Sequence, residues 1–303
     1  MGKQSLIHTR TIEGLLSDTP QKARYKRLQS ELRQFGRVAV AFSGGVDSTL
    51  LLKAASDALG SNVLAVTAYS PTTPERELRE ATEFAQLLGV EHLILRSREM
   101  EDPDFTTNSP DKCYICKKSR FGDILKEMEP RGFPVLLDGS NADDASDYRP
   151  GSRAAEELKV RSPLQEIGLS KKEIRRISRE LGLTTWDKPS YACLASRIPY
   201  GRQITAENLD QVDRGEEFIR SLLGSIQIRV RHYGDTARIE VDFAAIPKLA
   251  TRKIRTALVS FFRQDLGFTF VTLDLGGFET GSLNKVITSN INLHSKSPHS
   301  PLY

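Results

Sequence analysis

Short apolar runs recur through the first two thirds of the chain, and amphipathic segments separate them. Continuous apolar runs are typical of strands that are covered on both faces of a parallel sheet. Four such runs are present, over residues 38–42, 62–69, 92–95 and 133–137. Apolar residues at helical spacing predict helices between them, over residues 49–59, 74–88 and 171–181. Strands that alternate with helices predict an α/β fold, a parallel sheet with helices on both faces.

The pattern changes after residue 204. A predicted helix over residues 205–223 leads into two strands of alternating polarity, and a further helix and a strand over 268–273 complete a small C-terminal α+β domain. We therefore predict four regions. They are a lead-in (1–36) with one amphipathic helix over 20–35, an α/β domain (37–201), the α+β domain (202–283) and a disordered tail (284–303).

Composition describes an ordinary globular protein and narrows the range of partners. Of the 303 residues, 39% are hydrophobic and 27% are charged, and the net charge is +4. That charge gives only weak support for a nucleic-acid partner, and we expect none. No run approaches the ~20 apolar residues of a membrane helix, so we expect no membrane association. Three cysteines do not make a disulfide framework, which predicts a reducing, cytoplasmic setting.

The first apolar run is followed by a candidate phosphate-binding loop. Ser43, Gly44 and Gly45 allow a tight turn, and the predicted helix begins just after Ser48. Backbone N–H groups at such a turn bind phosphate, and the two hydroxyls add donors. Asp47 could hold a magnesium ion or orient the loop. The alternative is a turn that merely connects strand to helix. No lysine-containing P-loop motif is present.

Two other strand ends are predicted to contribute to the same site, because ligands bind beyond the carboxyl ends of parallel strands. Thr67 lies near the end of the second run, where the backbone could contact an adenine. Gly139 follows the fourth run within the sequence Asp138-Gly-Ser-Asn141, and it allows a close approach to the backbone.

Two of the three cysteines lie in a polar segment that runs into a predicted helix. Cys113 and Cys116 have the spacing of a metal or cluster half-site or of a redox pair, although two incidental thiols would show the same pattern. Cys193 and Arg197 lie in a proline-punctuated loop, whose composition favours a functional role. Arg229 and Arg231 project from one face of a predicted strand and can grip one phosphate or carboxylate, or simply form a solvated face.

The residues 43–48 (SGGVDS) resemble the PP-loop of the ATP pyrophosphatase superfamily. Together with residues 113–117 (CYICK), 138–141 (DGSN), 188–201 (KPSYACLASRIPYG), 229–231 (RVR) and 273–275 (LDL), they resemble the LarE family over residues 25–285. This family comprises ATP-dependent sulfur transferases that take part in the biosynthesis of the nickel-pincer nucleotide. The nickel-pincer nucleotide is the cofactor of lactate racemase. The resemblance implies ATP and Mg²⁺ as cofactors, a pyridinium-3,5-biscarboxylic acid mononucleotide as substrate, and its conversion to thiocarboxylates.

Further site assignments depend on the same resemblance. It implies that Cys193 and Arg197 are catalytic and that Arg229 and Arg231 hold the phosphate of the substrate. The family has two forms, one in which the cysteine at position 193 surrenders its own sulfur, leaving dehydroalanine, and one in which three cysteines ligate a 4Fe–4S cluster. Because Cys113, Cys116 and Cys193 are all present, we favour the cluster form. The implied partners are a sulfide source such as a cysteine desulfurase, other nickel-pincer biosynthesis proteins, and further copies of the chain, up to a hexamer.

Other assignments remain open from the residues alone. A zinc site would need a fourth ligand such as His232. A PP-loop tRNA thiolase should carry a stronger basic face with aromatic residues. An ammonia-using synthetase would leave the cysteines without a role, and a nucleotide sensor would bind ATP without releasing pyrophosphate.

Overall fold

The computed structural model describes residues 19–146, 150–189, 192–224, 226–279 and 281–283. The predicted tail after residue 283 and the first half of the predicted lead-in lie outside these ranges. Within them, the chain divides into two compact units. The first comprises residues 19–99 and 113–189, and the second comprises residues 100–112 and 192–283.

The predicted helices and strands are present in the predicted order, together with further helices for which no range was predicted. The helices are α1 (Pro20–Arg33), α2 (Val46–Leu59), α3 (Glu75–Leu88), α4 (Pro103–Thr106), α5 (Lys112–Met128), α6 (Pro150–Glu157), α7 (Pro163–Glu166), α8 (Lys171–Glu180), α9 (Ala206–Leu223), α10 (Ile246–Ala250) and α11 (Arg252–Gln264). The strands are β1 (Val38–Ala41), β2 (Val63–Tyr69), β3 (Glu91–Arg96), β4 (Val135–Leu137), β5 (Ile228–His232), β6 (Thr236–Val241) and β7 (Phe270–Leu273). Among the described residues, no helix is long and apolar enough to cross a membrane.

The first unit contains a four-stranded parallel sheet in the order β3-β2-β1-β4. Alternate residues of the central strand face opposite helical layers. Val38 and Val40 belong to one apolar cluster with residues of α1, α2 and α8, whereas Ala39 belongs to a second cluster with residues of α5. The predicted α/β fold with helices on both faces is therefore confirmed, and the continuous apolar run of β1 is explained by burial on both sides.

The helix after the glycine loop starts earlier than predicted. We expected it from residue 49, where the apolar residues begin, but α2 begins at Val46. Gly45 is its N-cap in an extended conformation, and Asp47 lies in its first turn, where a carboxylate interacts favourably with the helix dipole. The turn is thus shorter, and the backbone N–H groups of the helix lie immediately after the two glycines.

The second unit contains a mixed three-stranded sheet in the order β5-β6-β7. β5 and β6 are antiparallel, and β6 and β7 are parallel. The predicted apolar face is buried, including Ile228, Val230 and Ile239. The opposite face is also covered, since Arg229 and Arg231 are only 4% and 5% exposed. The solvated-face alternative for these arginines is therefore wrong.

The boundary between the units lies near residue 191, ten residues before the predicted end of the α/β domain. Residues 100–112 also belong to the second unit. Asn108 accounts for this arrangement, because its buried side-chain amide donates hydrogen bonds to the carbonyls of Ile198, Pro199 and Arg202. Nothing in the local pattern around residue 108 indicates a partner ninety residues later.

Candidate functional site

A cleft of about 340 Å³ opens in the first unit, where β1, β2 and β4 end. Its position agrees with the rule that ligands bind beyond the carboxyl ends of parallel strands. The glycine loop, the turn after β4 and one side of α5 form its walls. The polar lining residues are Ser43, Asp47, Ser48, Lys117, Arg120, Asp138, Ser140 and Asp144, and the apolar ones include Phe42, Val66, Ala68, Phe121 and Ile124.

The predicted loop residues take distinct places in this cleft. Ser43, Gly45, Asp47 and Ser48 line it, and the hydroxyl oxygens of Ser43 and Ser48 lie 3.2 Å apart. Gly44 belongs to the same loop but is not among the residues that line the cleft. Its φ is positive, at 69°, and a Cβ at this position would be 3.2 Å from Ala81 Cβ. Glycine is therefore required here by both conformation and space. An arrangement of hydroxyls and a helix N-terminus of this kind can bind phosphate, and the phosphate site stays a prediction.

Asp47 is held by two side chains from later in the chain. Its carboxylate forms an ion pair with Lys171, at the start of α8, and accepts a hydrogen bond of 3.4 Å from Asn141 Nδ2. These contacts favour an orienting role for Asp47. The carboxylates of Asp138 and Asp144 also line the cleft, and oxygen donors of this kind fit a magnesium ion, which usually keeps several waters and phosphate oxygens instead of an all-protein cage.

Gly139 packs directly against the glycine loop. A Cβ at this position would lie 2.9 Å from the backbone nitrogen of Ser48. The close approach predicted for Gly139 is therefore an approach of protein backbone to the first turn of α2, at the wall of the cleft.

We expect Gly139→Ala to slow pyrophosphate release from ATP by about 10²-fold, because a displacement of about 1 Å at a reacting group has that effect. It should also destabilise the fold by about 1–3 kcal/mol through overpacking. Gly122→Ala is the matched control, since a Cβ there meets nothing within 4 Å and α5 would gain helix propensity. Equal pyrophosphate rates in the two variants would contradict the assignment of this wall.

Thr67 is not among the residues that line the cleft, and the backbone contact to an adenine predicted there stays a prediction. Val66 and Ala68 face the cleft, and side chains alternate along a strand, so Thr67 lies on the other face of β2. Its hydroxyl is buried, donating to the Phe42 carbonyl at 2.7 Å and contacting His92 Nε2 at 2.8 Å. Thr67 therefore supports the strand that precedes the loop.

Sequence reasoning missed two cations of the cleft, Lys117 and Arg120, which α5 supplies. Lys117 Nζ lies 3.0 Å from Asp138 Oδ2. Arg120 donates to Glu99 Oε1 through Nη2 at 2.7 Å and through Nε at 3.1 Å. The signal was available, because Lys117 follows Cys113 by four residues and Arg120 follows Cys116 by four, so each pair shares a helix face.

Two buried carboxylates anchor these cations. Burial by itself raises the pKa of Glu99, but the Arg120 guanidinium and hydrogen bonds from Ser70 and Ser97 outweigh it and hold the pKa below its usual value. Burial likewise raises the pKa of Asp138. The Lys117 ammonium and hydrogen bonds from Ser162 and Ser140 have a larger, opposite effect, so the pKa of Asp138 is lower than its usual value. Both groups are therefore carboxylates near neutral pH.

Asp138 should make the fold sensitive to acid. Because its pKa is lower in the folded than in the unfolded chain, its contribution to stability is present above the unfolded value of about 4 and is lost as the pH falls through the folded value. We expect Asp138→Asn to lose less stability between pH 6 and pH 3 than the wild type, measured by urea unfolding. Asp210→Asn changes an exposed carboxylate and serves as control. An unchanged acid dependence in Asp138→Asn would refute this assignment.

The predicted cysteine pair lies at the start of α5. Cys113 is exposed, Cys116 is half-buried, and the Cys116 Sγ lies 3.9 Å from Glu99 Oε1. The two thiols are thus one helical turn from the two cations of the cleft. Cys193 belongs to the second unit, where it is exposed just before a short 3₁₀ turn (Leu194–Arg197).

Three thiols have the soft donor chemistry of iron–sulfur clusters, and the spacing of Cys113 and Cys116 places both on one side of a helix. The donors thus fit a cluster in kind and in helical spacing. Within the part of the chain that the structure describes, however, no group of three His, Cys, Asp or Glu side chains is arranged around a metal position. The predicted cluster and the zinc alternative therefore both stay predictions.

Arg197, predicted as catalytic, is fully buried at 0% exposure. Its guanidinium pairs with Glu216 through Nε at 2.7 Å and Nη2 at 2.9 Å. Nη1 donates to the carbonyl of Ala192 at 2.8 Å and to that of Cys193 at 3.3 Å. The structure thus places Arg197 inside the second unit as an anchor of the Cys193 loop, where its side chain has no exposed surface for a substrate.

Arg229 and Arg231 share one face of β5, as predicted. Arg231 Nη2 lies 2.7 Å from Glu240 Oε2, and its Nη1 donates to the Ser196 carbonyl at 2.7 Å. Arg229 donates to the Ile228 carbonyl and lies over the ring of Phe278, 5.0 Å from its centroid. The pair is therefore already embedded in protein contacts, and Arg231 links β5 to the loop after Cys193.

The chain is similar to known proteins over most of its length. The asparagine synthase family model matches residues 25–167, which include the glycine loop and the cysteine pair. The chain is 41% identical over 265 residues to the pyridinium-3,5-bisthiocarboxylic acid mononucleotide synthase of Lactiplantibacillus plantarum, covering 86% of this chain and 94% of that protein. It is 45% identical over 262 residues to slr1717, an uncharacterised protein of Synechocystis sp., covering 85% of this chain and 97% of that protein.

A third relative performs a different reaction by its name. The tRNA-specific 2-thiouridylase MnmA of Methylobacterium nodulans is 33% identical over 208 residues, but the match covers only 55% of this chain and 53% of that protein. The match to the mononucleotide synthase extends over nearly the whole of both proteins, whereas the match to the thiouridylase does not.

Proposed function

The chain belongs to the LarE family of PP-loop, ATP-using sulfur transferases, and we propose that it converts the carboxylates of pyridinium-3,5-biscarboxylic acid mononucleotide to thiocarboxylates. In each cycle a carboxylate oxygen attacks the α-phosphorus of ATP, and pyrophosphate leaves. A sulfur nucleophile then attacks the acyl carbon, and AMP leaves with the former carboxylate oxygen. Two cycles give the bisthiocarboxylate named for the relative from L. plantarum.

The observation that carries this proposal is that one helix, α5, bears two thiols and also supplies two cations to the cleft. Its first five residues include Cys113 and Cys116, and the following residues Lys117 and Arg120 line the cleft that the glycine loop helps to form. A nucleotide-binding protein without sulfur chemistry would have no need for two thiols at this position. The same helix therefore bears residues for the activation of the carboxylate by ATP and residues for the supply of sulfur.

The residues of the cleft have separable tasks in the first step. The hydroxyls of Ser43 and Ser48 and the N-terminus of α2 are placed to bind the departing pyrophosphate. Lys117 and Arg120 are placed to neutralise phosphate charge on the opposite wall. The apolar side chains Val66, Ala68 and Phe121 provide a surface for an adenine ring.

For the second step we propose that Cys113, Cys116 and Cys193 hold a 4Fe–4S cluster. When bound, such a cluster supplies inorganic sulfide, a nucleophile that is renewed from a sulfide source such as a cysteine desulfurase. The family also contains a form in which the cysteine at the position of Cys193 gives up its own sulfur. The presence of a second and third cysteine beside the nucleotide cleft favours the cluster.

Four further assignments belong to the same proposal. Arg229 and Arg231 share one sheet face and bind the phosphate of the mononucleotide, as the family resemblance implies. Because both are buried among protein partners, this assignment requires that they exchange some of those contacts for the phosphate. The product is passed to other proteins of nickel-pincer synthesis, for the lactate racemase cofactor. The active form is a homo-oligomer, up to a hexamer, and the protein acts in the cytoplasm.

The test is incubation of the anaerobically reconstituted protein with ATP, Mg²⁺, sulfide and the biscarboxylate mononucleotide. We expect AMP, pyrophosphate and thiocarboxylate in equal amounts, and a brown protein with about four irons per chain. Reactions without the mononucleotide should release little pyrophosphate. Pyrophosphate release that requires tRNA and not the mononucleotide would favour the thiolase alternative and overturn the proposal.

A further inference from the structure

The loop that carries Cys193 is fixed from beneath by one buried side chain. Arg197 Nη1 donates to the carbonyls of Ala192 and Cys193 and to Ser196 Oγ at 2.8 Å. The Cys193 side chain itself is exposed. The position of the thiol therefore depends on where the guanidinium of Arg197 is held.

Glu216 holds that guanidinium. Its two carboxylate oxygens accept the Nε and Nη2 hydrogen bonds of Arg197, in the two-pronged geometry that fixes orientation as well as distance. Glu216 Oε1 also accepts a hydrogen bond of 3.0 Å from the backbone nitrogen of Val230, between the two arginines of β5. One carboxylate of α9 thus joins the Cys193 loop to the strand that carries Arg229 and Arg231.

This pair is costly to bury, which indicates a role beyond stability. Glu216 is 3% exposed and Arg197 is fully buried. A buried ion pair is often no more stabilising than apolar side chains of similar volume, whereas it does impose one geometry. A second contact also joins the Cys193 loop to β5, because Arg231 Nη1 donates a hydrogen bond to the Ser196 carbonyl.

We propose that Glu216 is a positioning residue for Cys193. It orients Arg197, which in turn fixes the backbone of Ala192 and Cys193, so that the thiol is presented in a single orientation relative to the arginines of β5. This inference depends on the proposed function for its catalytic consequence. Glu216 does not touch a substrate, since its carboxylate is buried behind Arg197.

The test removes both charges together, because Glu216→Gln alone leaves a buried guanidinium without its counter-charge and would confuse misfolding with mispositioning. The variant is Arg197→Met with Glu216→Leu, and the control is Asp210→Asn, which breaks an exposed Arg–carboxylate pair on the same helix. Thiocarboxylate formation, pyrophosphate release and the thermal midpoint are measured for each protein.

We expect thiocarboxylate formation in the double variant to fall by about 10²-fold, as for other displacements of a reacting group by about 1 Å. The first-turnover release of pyrophosphate should change by less than about threefold, since the cleft lies in the first unit. Continued release should fall together with thiocarboxylate formation, because the acyl adenylate must be consumed before a new cycle begins. Asp210→Asn should change neither rate. Retention of thiocarboxylate formation in the double variant, or an equal fall of the first-turnover release of pyrophosphate, would overturn the proposal.

A second readout is independent of the proposed reaction. In a background of Cys113→Ser and Cys116→Ser, Cys193 is the single thiol of the chain, and its rate of alkylation by iodoacetamide reports its presentation. We expect the Arg197→Met, Glu216→Leu change to alter this rate by at least threefold, and an unchanged rate would refute the positioning role. If the wild type forms no thiocarboxylate but the alkylation rate still changes, the proposed function fails and the positioning of Cys193 stands.

Discussion

Cys193→Ser should reduce thiocarboxylate formation by at least about 10³-fold, the scale on which loss of a nucleophile acts. Serine retains the size and the hydrogen-bonding capacity of the side chain but can neither donate sulfur nor ligate iron as a thiolate. Because Cys193 does not belong to the lining of the nucleotide cleft, the first-turnover release of pyrophosphate should be much less affected. The two products are measured together, by chromatography of the mononucleotide and by a pyrophosphate assay.

The two remaining cysteines distinguish the two forms of the chemistry. If the three thiols hold a cluster, Cys113→Ser and Cys116→Ser should abolish both the brown colour and repeated turnover. If Cys193 is sacrificed, these two variants should retain one turnover per chain, and the intact mass of the product protein should be lower by one H₂S. Full, repeated turnover by Cys193→Ser would contradict both forms and with them the sulfur-transfer assignment of this loop.

Arg120→Met should destabilise the first unit by about 3–5 kcal/mol, the cost of leaving a buried charge without its partner. Glu99 is 0% exposed, and its carboxylate lies 2.7 Å from Arg120 Nη2. Serine and threonine hydroxyls from residues 70, 72 and 97 surround the same carboxylate, but they carry no compensating charge. The measurement is the free energy of unfolding in urea at pH 7.

Two further variants show whether the effect comes from the buried charge. Arg131→Met removes an exposed partner of Glu127 near the end of the same helix and should cost less than about 1 kcal/mol. Arg120→Met combined with Glu99→Met should recover most of the lost stability, because no unpaired charge is then buried. It should not recover pyrophosphate release, since the cation is still missing from the cleft. A cost of Arg120→Met no larger than that of Arg131→Met would refute this account.

Much of the candidate site could be predicted because its signals are local. The apolar run before Ser43, the two glycines and the helix after them lie within about twenty residues, and the parallel sheet then places them beside Gly139. The pattern alone did not show which side chains of β2 face the cleft, because a shift of one residue along a strand moves a side chain to the opposite face. Val66 and Ala68 line the cleft, and the backbone contact predicted at Thr67 stays a prediction.

The charged residues could not be assigned from local patterns. Whether an arginine lies in solvent, in a cleft or in the core depends on a partner far along the chain, as with Arg197 and Glu216 or with Arg120 and Glu99. The same holds for the joining of residues 100–112 to the second unit through Asn108. Periodicity reports burial of apolar side chains and carries no information on such pairs.

The sequence by itself determined the strands, the glycine turn and the three thiols, since each is specified by neighbouring residues and by the covalent geometry of the backbone. The tertiary structure decided which cations complete the cleft, which carboxylates neutralise them and how the Cys193 loop is anchored. The physical reason is that a buried charge is stable only beside its counter-charge, and folding alone determines which residue stands there.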